Sequence, residues 1–170
     1  MFWGDAVMML YHGSYKAIEK PDTSFSRQKT DFGKGFYLTP LKEQAERWAK
    51  RFINEQHFAV VSAYKYMDES LDKWHSDIKI LEFREHSKEW LVFVMNCRMG
   101  IQADLQWDLI IGGVANDRVF DTIQLYFDGL IGDNEAIGRL KYSKPSIQYC
   151  FKTQSLIDER LVFVDAEVTR

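Results

Sequence analysis

Cysteine is nearly absent: the chain has two, Cys97 and Cys150. They stand far apart and without metal-ligand spacing, which excludes a disulfide framework and a cysteine-based metal centre. They read as reduced, partly buried thiols of a cytosolic protein. There is no overall excess of positive charge either. The formal net charge is −3, so charge alone gives no reason to expect nucleic-acid binding. Long apolar runs are missing as well. The first residues carry no basic segment, and the run at 6–11 is too short for a signal peptide or a membrane span. A cytoplasmic location is therefore expected. His57, His75 and His86 sit among polar neighbours with no repeat spacing. All three read as surface residues, and no metal site is expected.

What is present suits one domain with a sizeable core, over residues 1–170: 46% of residues are hydrophobic and 15% aromatic. The most distinctive stretch is 31–39, Asp-Phe-Gly-Lys-Gly-Phe-Tyr-Leu-Thr. Gly33 and Gly35 give a tight bend free of side chains, through which a backbone could approach a flat ligand. Phe36, Tyr37 and Leu38 follow as a short β-prone run, with Tyr37 offered for stacking. Pro40 closes the run. Residues 41–52 then carry Leu41, Ala45, Trp48, Ala49 and Phe52 on one helical face. Upstream, the apolar run at 6–11 ends in His12-Gly13-Ser14. Arg27 stands close before the glycine bend, and its guanidinium matches phosphate oxygens. A solvated surface arginine is the plainer alternative.

Further along, 58–66 reads as a long strand, 68–77 as a charged bend and 78–83 as a strand. Residues 86–98 are amphipathic. Residues 106–114 form a strand ending in Gly112-Gly113, and 118–127 a helix for which Asn116 or Asp117 would serve as N-cap. A short helix is expected at 134–140, a loop at 141–145, and strands at 147–151 and 160–168. Six or seven strands mix with three or four helices out of strict alternation. That predicts an α+β fold with a split or packed pair of sheets, not a doubly wound one.

A strand ending in His12-Gly13-Ser14, followed by Phe32-Gly33-Lys34-Gly35-Phe36-Tyr37-Leu38, resembles the ADP-ribosyltransferase superfamily, on its diphtheria-toxin and poly(ADP-ribose) polymerase side. The likeness is nearest to a family of small uncharacterised bacterial proteins and covers most of the chain, from about residue 8 to about residue 163. It implies antiparallel-rich sheets with flanking helices, and NAD held as co-substrate in a cleft between them. His12 would bond the adenine-side ribose, with Ser14 beside it. Gly13 would pair with the carboxamide through its main chain. Tyr37 would stack on the nicotinamide, with Trp48, eleven residues on, as the second ring. Gly112, Gly113 and Asn116 would shape the far wall. Read by face alone, Trp48 is a core residue of an amphipathic helix.

The third residue of the His-Tyr-acid signature falls on Gln148, in Ile147-Gln148-Tyr149-Cys150-Phe151. Cleaving the nicotinamide–ribose bond develops positive charge on the sugar. A glutamine can hydrogen-bond a sugar hydroxyl but carries no charge. Losing one well-placed electrostatic group costs about 3–4 kcal/mol of barrier. Asp31, Asp117 and Glu135 are candidates to supply the missing acid, and Gln148→Glu is expected to keep or raise cleavage. The resemblance implies a mono-ADP-ribosyltransferase acting on a macromolecule, protein or nucleic acid. By resemblance alone it would be the toxic half of a bacterial toxin–antitoxin or defence pair with a cognate antitoxin protein. The alternatives are a non-catalytic module binding NAD, ADP-ribose or a protein, and an NAD glycohydrolase with water as acceptor.

Overall fold

The structure, a computed structural model, describes residues 6–54, 56–68, 77–115, 117–141 and 146–169. Residues 69–76 of the expected bend, residues 142–145 of the expected loop, and Asn116 lie outside them, His75 among the first. Seven strands and five α-helices are present among the described residues, in an α+β arrangement. In chain order they are β1 (Ala6–Ser14), β2 (Phe36–Leu38), α1 (Lys42–Ala49), β3 (Ala59–Asp68), β4 (Ile80–Glu82), α2 (Lys88–Met99), β5 (Leu109–Gly113), α3 (Asp117–Phe127), α4 (Asp133–Leu140), β6 (Ile147–Phe151), α5 (Gln154–Arg160) and β7 (Leu161–Thr169).

The strands form two sheets, one ordered β1-β3-β7 and the other β2-β6-β5-β4. Every pairing is antiparallel except β4 with β5. Among the described residues, one isolated bridge joins the sheets edge to edge. Tyr11 and Thr39 exchange both main-chain hydrogen bonds, at 2.8 and 2.9 Å. Beyond that pair, towards Gly13 and Tyr37, the main-chain ladder between β1 and β2 ends among the described residues, and we call this margin the seam.

Period-two alternation sorts the strand side chains into layers. Leu10, Phe36, Leu38, Tyr64, Leu109 and Phe151 face inward and form the core between the sheets. The opposite face of the four-stranded sheet carries Ile110 and Cys150. There they pack with Phe32, Trp90, Leu91, Val94, Val119 and Leu140, beneath α2, α3 and α4. Full burial of each large side chain contributes about 1.5–3 kcal/mol. On the outer face of the three-stranded sheet, α1 rests through Ala45 and Ala49 on Tyr11, Ala59 and Val61.

Three local readings are corrected here. His86 is not a surface residue but 8% exposed. Its ring lies 4.2 Å from that of Trp90, on the first turn of α2. Residue 160 does not begin the last strand; it ends α5, a helix that weak periodicity over seven residues did not announce. The apolar stripe of 41–52 is narrower than its spacing suggests. Ala45 and Ala49 are buried, while Leu41 and Trp48 stay outside, Trp48 at 45% exposure.

Candidate functional site

The seam places His12 and Tyr37 side by side. His12 Nδ1 donates to the Tyr37 carbonyl at 2.8 Å, and its ring stacks on Phe36, with centroids 4.5 Å apart. A carbonyl only accepts, so Nδ1 carries the proton and Nε2 keeps a lone pair. Burial pushes the imidazole pKa below its ordinary value, against a smaller upward effect of the bond to Tyr37. The ring is therefore held neutral, with its tautomer fixed.

Gly13 follows on the outer side of β1. The phase of the ladder turns the N–H and C=O of Tyr11 away from β3, towards Thr39. Those of Gly13, two residues on, point the same way, into the seam. The glycine has a structural reason as well. A Cβ here would stand 2.1 Å from the Ala45 carbonyl oxygen and 2.9 Å from the Ala49 nitrogen, both backbone atoms of α1. Ser14 ends β1 and is buried.

The ring of Tyr37 points to the outer face, the same as Gly13, and packs against the cluster beneath α2 to α4. Its hydroxyl is tied into the glycine bend. It donates to Gly33 O at 2.6 Å, meets Thr30 Oγ1 at 2.8 Å and accepts from Phe32 N–H at 3.0 Å. Burial raises the phenol pKa well above its ordinary value. Gly33 (φ +71°) and Gly35 are tight against protein. A Cβ at Gly33 would meet Asp104 Oδ2 at 2.4 Å, and one at Gly35 would meet Cys150 Sγ at 2.4 Å. The approach these glycines permit is thus to Asp104 and β6. Lys152 fastens the bend, donating to Asp104 at 2.6 Å, to Phe32 O at 2.7 Å and to Lys34 O.

Gln148 projects from β6 on the same outer face, two residues from Cys150, the partner of Tyr37 in the ladder. His12 projects from the inward face, so the imidazole and the amide flank the sheet from opposite sides. Gln148 is 8% exposed. Its Nε2 donates to Asp31 Oδ2 at 2.9 Å and to Gly113 O at 3.3 Å. Asp31, also 8% exposed, accepts from Arg98 Nε and Nη2 at 3.0 and 2.5 Å and from Ala115 N–H at 2.9 Å. Arg98 reaches it from the last turn of α2, which Ser87 starts as N-cap and Gly100 (φ +80°) ends. The sequence had offered Asp31 as one of three substitutes for the missing acid, but the role of Arg98 had no local signal. Glu135 is exposed on α4 and paired with Arg139. Asp117 opens α3.

Arg27 is exposed and makes no ion pair among the described residues. Trp48 lies on α1 with the Arg51 guanidinium 4.4 Å from its ring centre. Gly112 and Gly113 lie on β5 beside Gln148. A Cβ on Gly113 would meet His86 Nε2 at 2.2 Å, so this glycine makes room for the buried imidazole. Among the described residues, no group of histidine, cysteine and acidic side chains could hold a metal ion. No helix there is long and apolar enough to cross a membrane.

A family model described as "Protein of unknown function (DUF3990)" matches residues 8–163. No curated protein and no solved structure matches the chain.

Proposed function

Starting from the chain's membership of the DUF3990 family of unknown function, we propose that it is a mono-ADP-ribosyltransferase that takes NAD at the seam between its sheets. The fold would be of the ADP-ribosyltransferase type. The observation that carries the reading is the seam: a neutral imidazole whose Nε2 is an acceptor stands beside Gly13 main-chain groups that turn away from their own sheet.

A flat carboxamide is recognised by one donor and one acceptor on a main chain, which Gly13 offers. A ribose hydroxyl needs an acceptor, which His12 Nε2 offers. The Tyr37 ring, on the same face as Gly13, and the half-exposed indole of Trp48 are aromatic surfaces for the nicotinamide. Cleavage leaves positive charge on the sugar, and electron-rich oxygens beside it lower the barrier. Gln148 contributes an amide oxygen in place of a carboxylate. The acceptor would be a protein or nucleic acid, and a cognate antitoxin protein belongs to the same proposal.

The test is incubation with NAD labelled in its adenylate half, together with cell lysate. Label on a macromolecule and released nicotinamide are expected. No label and no nicotinamide would remove the reading. Free ADP-ribose without labelled macromolecule would assign the glycohydrolase instead. One observation favours a second reading, a module that binds NAD or ADP-ribose without turnover: the Tyr37 hydroxyl and the Gln148 amide group are already engaged by the protein. It predicts saturable binding and no cleavage.

A further inference from the structure

This inference rests on the NAD reading above and concerns how a neutral residue serves where an acid is expected. A glutamine amide has two donors on nitrogen and one acceptor on oxygen. Both Nε2 protons of Gln148 are spent inside the protein, on Asp31 Oδ2 and on Gly113 O. Turning the amide over would set Oε1 against two acceptors, so chemistry fixes its orientation. Oε1 itself accepts no hydrogen bond among the described residues.

Asp31 is held just as firmly. One carboxylate oxygen takes both Arg98 donors and the other also takes Ala115 N–H. Arg98 lies with its guanidinium 4.8 Å from the Phe120 ring centre. Asp31 cannot swing away without leaving a partly buried guanidinium and a main-chain donor unmatched.

We propose that Asp31 is the positioning residue of this site: it clamps the Gln148 amide nitrogen so that Oε1 is the atom offered to a sugar hydroxyl of the dinucleotide. A carboxylate behind an amide N–H also draws electron density towards the amide oxygen, because hydrogen bonds in a chain polarise one another. The acid of the site is then one residue removed from the ligand. It acts through the amide and does not touch the sugar.

The experiment compares nicotinamide release from NAD by the full chain in four forms: wild type, Asp31→Asn, Gln148→Glu and the double variant. In the double variant the charge moves from residue 31 to residue 148 and the pair keeps one carboxylate and one amide. Each single change is expected to lower kcat about tenfold or more, and in Asp31→Asn KM for NAD should stay within about twofold, since Asp31 does not contact NAD. The double variant is expected to return to within about threefold of wild type, a recovery that a merely structural staple would not give. Wild-type kcat in Asp31→Asn, or a double variant no better than the worse single one, overturns the proposal. A wild type that leaves NAD uncut removes the NAD reading and this inference together, whereas an active wild type with a failed swap removes the inference alone. If Asp31→Asn does not fold, the wild type still decides. Its Gln148 side-chain amide protons, assigned by their loss in Gln148→Glu, must be shielded from exchange with water. Fast exchange overturns the clamp.

Discussion

The imidazole of His12 and the main-chain carbonyl of Tyr37, 25 positions apart, form a hydrogen bond across the margin where the main-chain ladder between the two sheets ends. One motif residue therefore holds the backbone of the other. The bond also consumes the proton that a neutral imidazole has to give, which leaves the second nitrogen as an acceptor.

Two imidazoles predict one pH dependence. Burial lowers the pKa of both His12 and His86 below the ordinary value of 6.5. Between the lowered value and 6.5 the unfolded chain holds a proton that the folded one lacks, so stability rises with pH there. The loss begins as pH falls through about 6.5 and is complete below the folded values. The melting temperature should drop between pH 7 and pH 5, and the slope should flatten in His12→Gln and in His86→Gln. Unchanged slopes in both variants would contradict the burial argument.

The carboxylate that the signature calls for does not fit simply at position 148. In Gln148→Glu it would face Asp31 Oδ2 and the Gly113 carbonyl, where the amide now donates. We expect a loss of about 1–3 kcal/mol at neutral pH. The introduced acid would have a raised pKa in the folded state, so the deficit should shrink as pH is lowered and the group gains a proton to donate. Chemical denaturation at pH 7 and pH 5 measures the difference. This reverses the simpler expectation that restoring the acid keeps or raises cleavage.

Gly13→Ala should be among the most damaging single substitutions. Its methyl group would strike the backbone of α1, not a side chain that could turn aside. About 3 kcal/mol of lost stability is expected, read as a lowered denaturation midpoint. NAD binding is better probed at His12.

Tyr37→Phe separates ring from hydroxyl. It strands the Phe32 N–H and removes a bond to Gly33 O, at a cost of about 1–3 kcal/mol. Tyr37→Ala would add the loss of ring packing, so it will not leave the melting temperature unchanged. Affinity for NAD in Tyr37→Phe, measured by calorimetry under folding conditions, should stay within about threefold of wild type if the ring does the stacking.

Trp48→Ala tests the second ring. The indole is 45% exposed, so stability should fall by no more than about 1 kcal/mol, mostly from the Arg51 contact. Affinity for NAD should weaken about fivefold if the indole stacks on the ligand. Unchanged affinity would take Trp48 out of the site.

Most elements could be read from local pattern. β2 and β6 fall at their expected bounds, because a glycine bend before one and a loop before the other fix where alternation begins. His86 was misread because its neighbours in sequence, Glu85 and Ser87, are polar. What buries it are Trp90, one turn into the next helix, and the missing side chain of Gly113. The pairing of β4 with β5 in parallel left no trace in composition. The same holds for Asp31, Arg98 and Gln148. Asp31 and Gln148 are 117 positions apart, and Arg98 looks like any basic residue near a helix end. Periodicity reports the face a residue occupies; it does not report which loop folds over that face.

The Tyr11–Thr39 pair has a dynamic consequence. Only these reciprocal main-chain bonds stitch one sheet's edge to the other among the described residues. Rupturing them, together with the imidazole strut next door, would let the two margins splay like a hinge while the apolar interior stays closed. Deuterium uptake at those two amides should therefore run ahead of the amides that pair β1 with β3, and a ligand wedged in the gap should slow it.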